Sequence, residues 1–367
     1  MGSFVDEGNG GNEVTTGYVI LETGEVFPGE LVGERQGQSG EIVFNTSMIG
    51  LQEILSDPTY AGQIVVFSYP LIGKERIDNV FEEDKPCYIR GIVVSESCIH
   101  DGESDSLQTF LLKNGIPCLT NVDTRELVKT IRKRGTVGAV ISNTPDTKPT
   151  PTKGENFIQM VSTKSVRFYA GKGPHVVLVD FGYKKSIFRS LLKIGCKVTV
   201  VPFDHPLEEI QLLQSDGIVL SNGPSNPTIL TSQLQKIKTL SQLYPTLGIG
   251  LGHQLIALAY GAKVEKLQYG HRGTNHPVKD LRTGKVFITS QNHSYMVSEH
   301  TIDFNQFEVT FQHVNDQTVE GIKHKTLPIQ TVQFHPEMEP GSKDTQFIFH
   351  QFFETIDCIG VVNNAIK

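Results

Sequence analysis

The chain has 367 residues and a formal charge of −7, from 33 Lys and Arg against 40 Asp and Glu. With 38% hydrophobic and 20% charged residues it is neither a disordered chain nor a coiled coil, and at roughly 150 residues per domain it has length for two cores. A mildly acidic, mixed surface argues against nucleic acid as a partner, and no apolar run approaches the ~20 residues of a membrane span.

Residues 1–13 are Gly-rich and acidic and read as a loose tail. They lack the basic and apolar regions of a signal peptide, so a cytoplasmic location is expected. An N-terminal β-rich α/β domain is expected over 14–143. Tyr18–Leu21, Glu41–Phe44, Ile64–Phe67 and Ile92–Val94 read as short strands between glycine turns. Helices follow at Ser106–Asn114 and Thr124–Arg134, the second capped by Asp123 or Thr124 and ended by Gly135. The second carries Arg125, Lys129, Arg132, Lys133 and Arg134, either a solvated face or a contact surface for an acidic partner. A linker is expected over 144–156, where Pro145, Pro149 and Pro151 stand among small polar residues that cannot sustain a packed element.

From 157 to 360 the pattern changes. His175–Phe181, Lys197–Phe203, Gly217–Leu220 and Thr246–Ile249 read as strands, separated by helices at Tyr183–Ile194, Leu207–Gln214 and Gln233–Tyr244 and followed by one at His253–Tyr260. Such alternation predicts a largely parallel sheet with flanking helices. Ligands in that architecture sit beyond the carboxyl ends of the strands, which points to the segments after Leu220 and after Ile249.

Both segments are unusual. Ser221-Asn222-Gly223-Pro224-Ser225-Asn226-Pro227 is a turn able to expose backbone N–H groups. Gly248-Ile249-Gly250-Leu251-Gly252 is a strand-to-helix turn with small residues around its tip. In a G-x-nucleophile-x-G turn the central side chain is held exposed at a helix N-terminus; here the central residue is Gly250. A dinucleotide-binding G-x-G-x-x-G would require glycine where His253 stands, and no Walker loop is present. Cys87, Cys98, Cys118, Cys196 and Cys358 are scattered, with no C-x-x-C pair, and read as free thiols. His271, His276, His313 and His324 show none of the spacings of known metal motifs, so no metal is expected.

From about Tyr18 to the C-terminus the chain resembles the small, glutaminase subunit of carbamoyl phosphate synthetases, whose second half is a class I glutamine amidotransferase domain. The resemblance rests on Phe44-Asn45-Thr46-Ser47-Met48, Gln52-Glu53-Ile54-Leu55-Ser56-Asp57-Pro58, Tyr69-Pro70-Leu71-Ile72-Gly73, Asp180-Phe181-Gly182, Leu220-Ser221-Asn222-Gly223-Pro224, Leu251-Gly252-His253-Gln254, Arg272-Gly273, Gln291-Asn292-His293 and His335-Pro336-Glu337. It implies a nucleophilic cysteine at position 250, His335 as base and acid, and Glu337 orienting it. It also implies an oxyanion hole from the N–H groups of Gly223 and Leu251, where one donor is typically worth ~3 kcal/mol. Ser47, Gly223, Ser225, Leu251, Gln254, Asn292, Ser294 and Tyr295 would hold glutamine. The implied partner is a large subunit, which would use ATP, magnesium and bicarbonate; no cofactor is implied for this chain. Two departures stand out: Gly250 replaces the cysteine, and Ser225-Asn226 replaces Gly-Asp. Glutamine hydrolysis is therefore expected to be lost or very low; the two readings are an active amidotransferase subunit, for which no nucleophile is evident, and a non-hydrolytic partner of an ammonia-fed large subunit.

Overall fold

The structure is a computed structural model, and it describes residues 15–33, 37–73, 86–97, 106–151, 155–224, 226–337, 340–341 and 343–365. The first part contains β1 (Thr15–Leu21), β2 (Val26–Val32), β3 (Gln38–Asn45), α1 (Leu51–Ser56), β4 (Gln63–Phe67), β5 (Leu71–Ile72), β6 (Gly91–Val93) and β7 (Glu96–Ser97). It continues with α2 (Leu107–Asn114), β8 (Cys118–Thr120), α3 (Thr124–Arg134) and β9 (Val137–Ser142). Seven strands close into a barrel in the order β1-β2-β8-β6-β4-β3-β9, while β5 and β7 pair apart from it. Closure removes the open edges that an isolated sheet of this size would leave unpaired.

Both faces of the barrel wall are apolar. Along β4, Ile64 and Val66 pack with Leu127 and Ile131 of α3, whereas Val65 and Phe67 pack with α1 and α2. Successive strand residues point to opposite faces, so the unbroken Ile-Val-Val-Phe run serves two cores. Helix α3 spans the residues expected, with the Asp123 carboxylate accepting from the Glu126 N–H at 2.9 Å. Part of its cationic face is engaged within the chain: Arg134 pairs with Glu25 at 3.0 Å and Arg132 stands over the Tyr269 ring.

The second part contains α4 (Phe157–Val161), β10 (Arg167–Tyr169), β11 (His175–Asp180), α5 (Lys185–Lys193), β12 (Lys197–Pro202), α6 (Leu207–Leu212), β13 (Gly217–Leu220), α7 (Leu234–Leu243), β14 (Thr246–Ile249) and α8 (Leu251–Ala259). There follow β15 (Val264–Asp280), β16 (Val286–Val297), β17 (Phe307–His313), β18 (Val319–His324), β19 (Ile329–Val332) and α9 (Phe347–Ala365). One ten-stranded sheet has the order β10-β12-β11-β13-β14-β19-β18-β16-β15-β17. The parallel core is β12-β11-β13-β14-β19, covered by α7 and α8 on one face and α5 and α9 on the other.

Two expectations need adjustment. The sheet is parallel only through that core; β15 to β18 form an antiparallel extension where the sequence signals no strands, because Gly270, Gly273 and Pro277 interrupt the 17 residues of β15. Helix α5 begins at Lys185 rather than Tyr183, because Gly182 takes φ +119° and the Asp180 carboxylate accepts from the N–H groups of Gly182 and Tyr183 at 2.7 and 2.9 Å. The extension is what the barrel docks against. Lys266 pairs with Glu41 at 2.8 Å, the Thr46 N–H donates to the Arg272 carbonyl at 3.2 Å, and Asn292 Nδ2 donates to Thr59 Oγ1 at 2.6 Å.

Candidate active site

The strand-to-helix turn after β14 is built for close approach. Gly250 has φ +56° and ψ −107°, a conformation that side-chain-bearing residues adopt only under strain. Its N–H donates to the Val332 carbonyl at 2.8 Å, and its own carbonyl accepts from the Gln254 N–H at 3.3 Å, starting α8 two residues before the His253 expected. The flanking glycines are sterically required: a Cβ on Gly252 would stand 2.2 Å from the Leu220 carbonyl oxygen, and one on Gly248 2.8 Å from the Gly252 carbonyl oxygen. At Gly250 itself there is more room, the nearest atom being Asn222 Cβ at 3.2 Å. A side chain there is thus opposed by backbone strain and a mild contact, not by a wall.

His253 packs behind this turn, fully buried, with Nδ1 2.7 Å from Thr331 Oγ1. Thr331 Oγ1 donates to the Ile322 carbonyl, so it accepts from His253 and fixes the Nδ1–H tautomer. Burial pushes the His253 pKa down to about 3.

On the far side, β19 ends at Val332 and the chain runs on to His335, whose N–H donates to the Ser290 carbonyl at 2.9 Å. His335 Nδ1 lies 3.1 Å from Glu337 Oε1, with the two side chains 5% and 0% exposed. Burial by itself would raise the Glu337 carboxyl, but His335 and the nearby Lys184 outweigh it and hold the group below its ordinary value. A carboxylate on Nδ1 leaves Nε2 as the working nitrogen, the arrangement of a general base.

Between the turn and the base lies a cavity of about 480 Å³ in the seam between barrel and sheet. Gly223, Gly250, Leu251, Gln254, Asn292, Ser294, Tyr295 and His335 all line it, as do Pro149 to Pro151 of the linker. Gly223 and Leu251 adjoin, since a Cβ on Gly223 would stand 2.9 Å from Leu251 Cδ2. Gln254 Nε2 donates to the Tyr295 carbonyl at 2.8 Å and to Gln333 Oε1 at 2.9 Å, which fixes its amide as part of the wall. Ser294 Oγ accepts from Arg272 Nη2. Ser47 is buried with an unpartnered Oγ and faces a second, smaller cavity that His335 and Asn292 also line. Ser225 lies outside the described residues.

Comparison with known proteins fits this geometry. Residues 19–141 match the carbamoyl-phosphate synthase small chain CPSase domain, and residues 177–355 match class-I glutamine amidotransferase. The arginine-specific small chain of carbamoyl phosphate synthase from Halalkalibacterium halodurans is 46% identical over 350 residues, covering 94% of this chain and 98% of that one. The chain belongs to the carbamoyl phosphate synthase small-chain family. The arginine-specific small chain of Bacillus subtilis is 47% identical, covering 93% of this chain and 97% of the relative; the pyrimidine-specific one from the same organism is 44% identical, covering 92% and 95%. Both halves of the chain, barrel and amidotransferase sheet, are therefore those of a small chain. No helix among the described residues is long and apolar enough to cross a membrane.

Sequence reasoning passed over several polar groups of this small-chain site. Arg272 is buried in the cavity wall, its Nη1 donating to the Tyr269 carbonyl at 2.8 Å. Lys184 pairs with Asp57 of the barrel at 3.8 Å, both side chains buried, and its N–H donates to Asn222 Oδ1 at 3.2 Å. Arg272, Lys184 and Asp57 each sit in or beside a motif already quoted, but only the fold turns Arg272 toward the larger cavity and Lys184 and Asp57 toward the smaller one. Of the four histidines considered for a metal, His271, His276 and His313 come together on the antiparallel extension; His324 lies apart, against Phe307 and Tyr260.

Proposed function

We propose that the chain is the glutamine-binding small subunit of a carbamoyl phosphate synthase and does not hydrolyse glutamine, so that its large-subunit partner draws nitrogen from free ammonia. The carrying observation is Gly250. Amide hydrolysis of this type needs a thiolate to bond to the carboxamide carbon, the base to protonate the departing ammonia, and water to cleave the resulting thioester. At the tip of the turn there is no atom to form that bond.

No other described cysteine supplies one. Cys118 and Cys196 are buried, and burial pushes their thiols up to about 12 and about 11, away from the thiolate a nucleophile requires. Neither they nor Cys87 or Cys358 line the cavity. What supports retained glutamine binding is the wall of the pocket, where Gln254, Asn292, Ser294 and Tyr295 line one cavity together with Gly223 and Leu251.

Ammonia release from glutamine by the unaltered chain and by Gly250→Cys tests the reading, followed by assays of the complex with its large subunit on glutamine and on ammonium. The expected outcome is carbamoyl phosphate from ammonium alone, with glutamine-driven synthesis appearing in the variant. Turnover of glutamine by the unaltered chain, or an acyl adduct on it in mass spectrometry, would overturn the proposal.

A further inference from the structure

The antiparallel extension carries a cluster of imidazoles that the glutamine chemistry does not use. His271 and His276 both lie on β15, five residues apart, so a regular strand would send them to opposite faces. The pairing of β15 with β16 shifts register between Gly273 and His276, and Gly273 takes φ +152°. Such a bulge re-aims the side chains beyond it, and here it brings both rings to one side, 5.1 Å apart. The end of β17 adds His313, stacked on His271 at 4.4 Å.

Each of these three rings can offer a nitrogen within 4.8 Å of the other two. His276 Nδ1 and His313 Nε2 are 3.2 Å apart, close to the ~3.3 Å that two nitrogens adopt on a tetrahedral ion with ligands at about 2.0–2.1 Å. His276 Nε2 is buried without a hydrogen-bond partner. Asp316 touches two of the rings, His271 Nε2 at 2.7 Å and His313 Nδ1 at 3.1 Å, the carboxylate support that orients metal-bound imidazoles. Its loop is braced: Thr318 donates to Asp316 Oδ1 from both N–H, at 3.2 Å, and Oγ1, at 2.8 Å. With its side chain 41% exposed, Asp316 also marks the way in.

We propose that His271, His276 and His313 bind a divalent transition-metal cation of the zinc class, oriented by Asp316. Imidazole suits such ions, whereas calcium and magnesium prefer oxygen. The cation replaces the proton shared by His276 Nδ1 and His313 Nε2 and draws in one nitrogen of His271. A second set, His271, His293 and Glu320, shares one ring. It is the weaker candidate because both of its rings are engaged at both nitrogens, His293 by the Tyr295 carbonyl at 2.8 Å and Gln291 Oε1 at 3.0 Å, and His271 by Gln291 Oε1 at 3.0 Å and Asp316 at 2.7 Å, whereas in the first set only His271 is so held by acceptors.

Chelator-stripped full-length chain titrated with Zn²⁺ by calorimetry and with Co²⁺ by visible absorption tests this. The result expected is one saturable site per chain, the ligand-field bands of a low-symmetry Co²⁺ centre, and a rise in Tm with Zn²⁺, because an ion that binds only the folded state stabilises it. His276→Gln and His313→Gln should each abolish all three signals, and Asp316→Asn should weaken binding by about 10–100-fold. Absence of saturable binding to the unaltered chain overturns the proposal. So does binding that survives undiminished in the two glutamine variants. Should either variant fail to fold, the Co²⁺ spectrum of the unaltered chain decides alone.

Discussion

The two arms of the site differ in a way that separates architecture from chemistry. On the base side, His335 and Glu337 are both present, buried and in contact at 3.1 Å. On the side of the strand-to-helix turn, the backbone has positive φ, flanking glycines and a helix start, and position 250 carries no side chain. The backbone bonds that hold the turn, from Gly250 N–H to Val332 and from Gly252 N–H to Ser221, do not involve the side chain at 250. A strained tip of this kind costs a side-chain-bearing residue about 1–3 kcal/mol, which glycine avoids. The turn therefore needs no side chain at 250, and glycine there carries no such strain.

The largest effect should come from supplying a thiol at that position. Gly250→Cys should raise ammonia release from glutamine by about a thousandfold or more, since removing a nucleophile from such a constellation typically costs at least that. The variant should also be about 1–3 kcal/mol less stable in urea unfolding. Adding His335→Asn to it should cancel the gain; a gain that persisted would show the base arm to be irrelevant and break the comparison.

Gly252→Ala attacks the turn rather than its chemistry. Its methyl would press on the Leu220 carbonyl oxygen at 2.2 Å, and overpacking against fixed backbone costs about 1–3 kcal/mol or more. A lowered urea midpoint is expected, and an unchanged one would show the turn to be softer than its geometry implies.

His253 sharpens the comparison through pH. Its pKa of about 3 when folded lies below the ~6.5 of an unfolded chain, so between those values the unfolded state binds more protons. Stability is then complete above about pH 6.5 and declines as pH falls toward 3, by about 2 kcal/mol at pH 5 from this residue. Tm measured from pH 7 to pH 5 should fall less steeply in His253→Gln than in the unaltered chain. The smallest effect is expected at the barrel's edge. Thr59→Val removes the hydroxyl that Asn292 donates to and that itself donates to Asp57 at 2.7 Å, and should weaken glutamine binding, read by calorimetry, by about 1 kcal/mol.

Local signals were enough for much of this molecule. Asp123 and Gly135 bracket α3 because a carboxylate cap and a glycine stop act within a few residues. Val176 to Val179 announce a strand buried on both faces because every position is apolar. The strand-to-helix turn at Gly250 was equally plain, since Gly248, Gly250 and Gly252 stand between an apolar strand and a helix. The antiparallel extension was invisible for the opposite reason: β15 mixes glycine, proline and polar residues, and its strand character comes from pairing with β16 in three stretches separated by register shifts.

Sequence alone determined the parallel core and the strand-to-helix turn at Gly250, because each is written in contiguous residues. Tertiary structure decided what converges. It set Lys184 against Asp57 of the barrel, tied Asn292 to Thr59, and used one bulge in β15 to bring His271 and His276 to one side, beside His313 of β17. Those contacts join residues up to 233 positions apart. Their partners are chosen by how barrel and sheet pack, which no local pattern encodes.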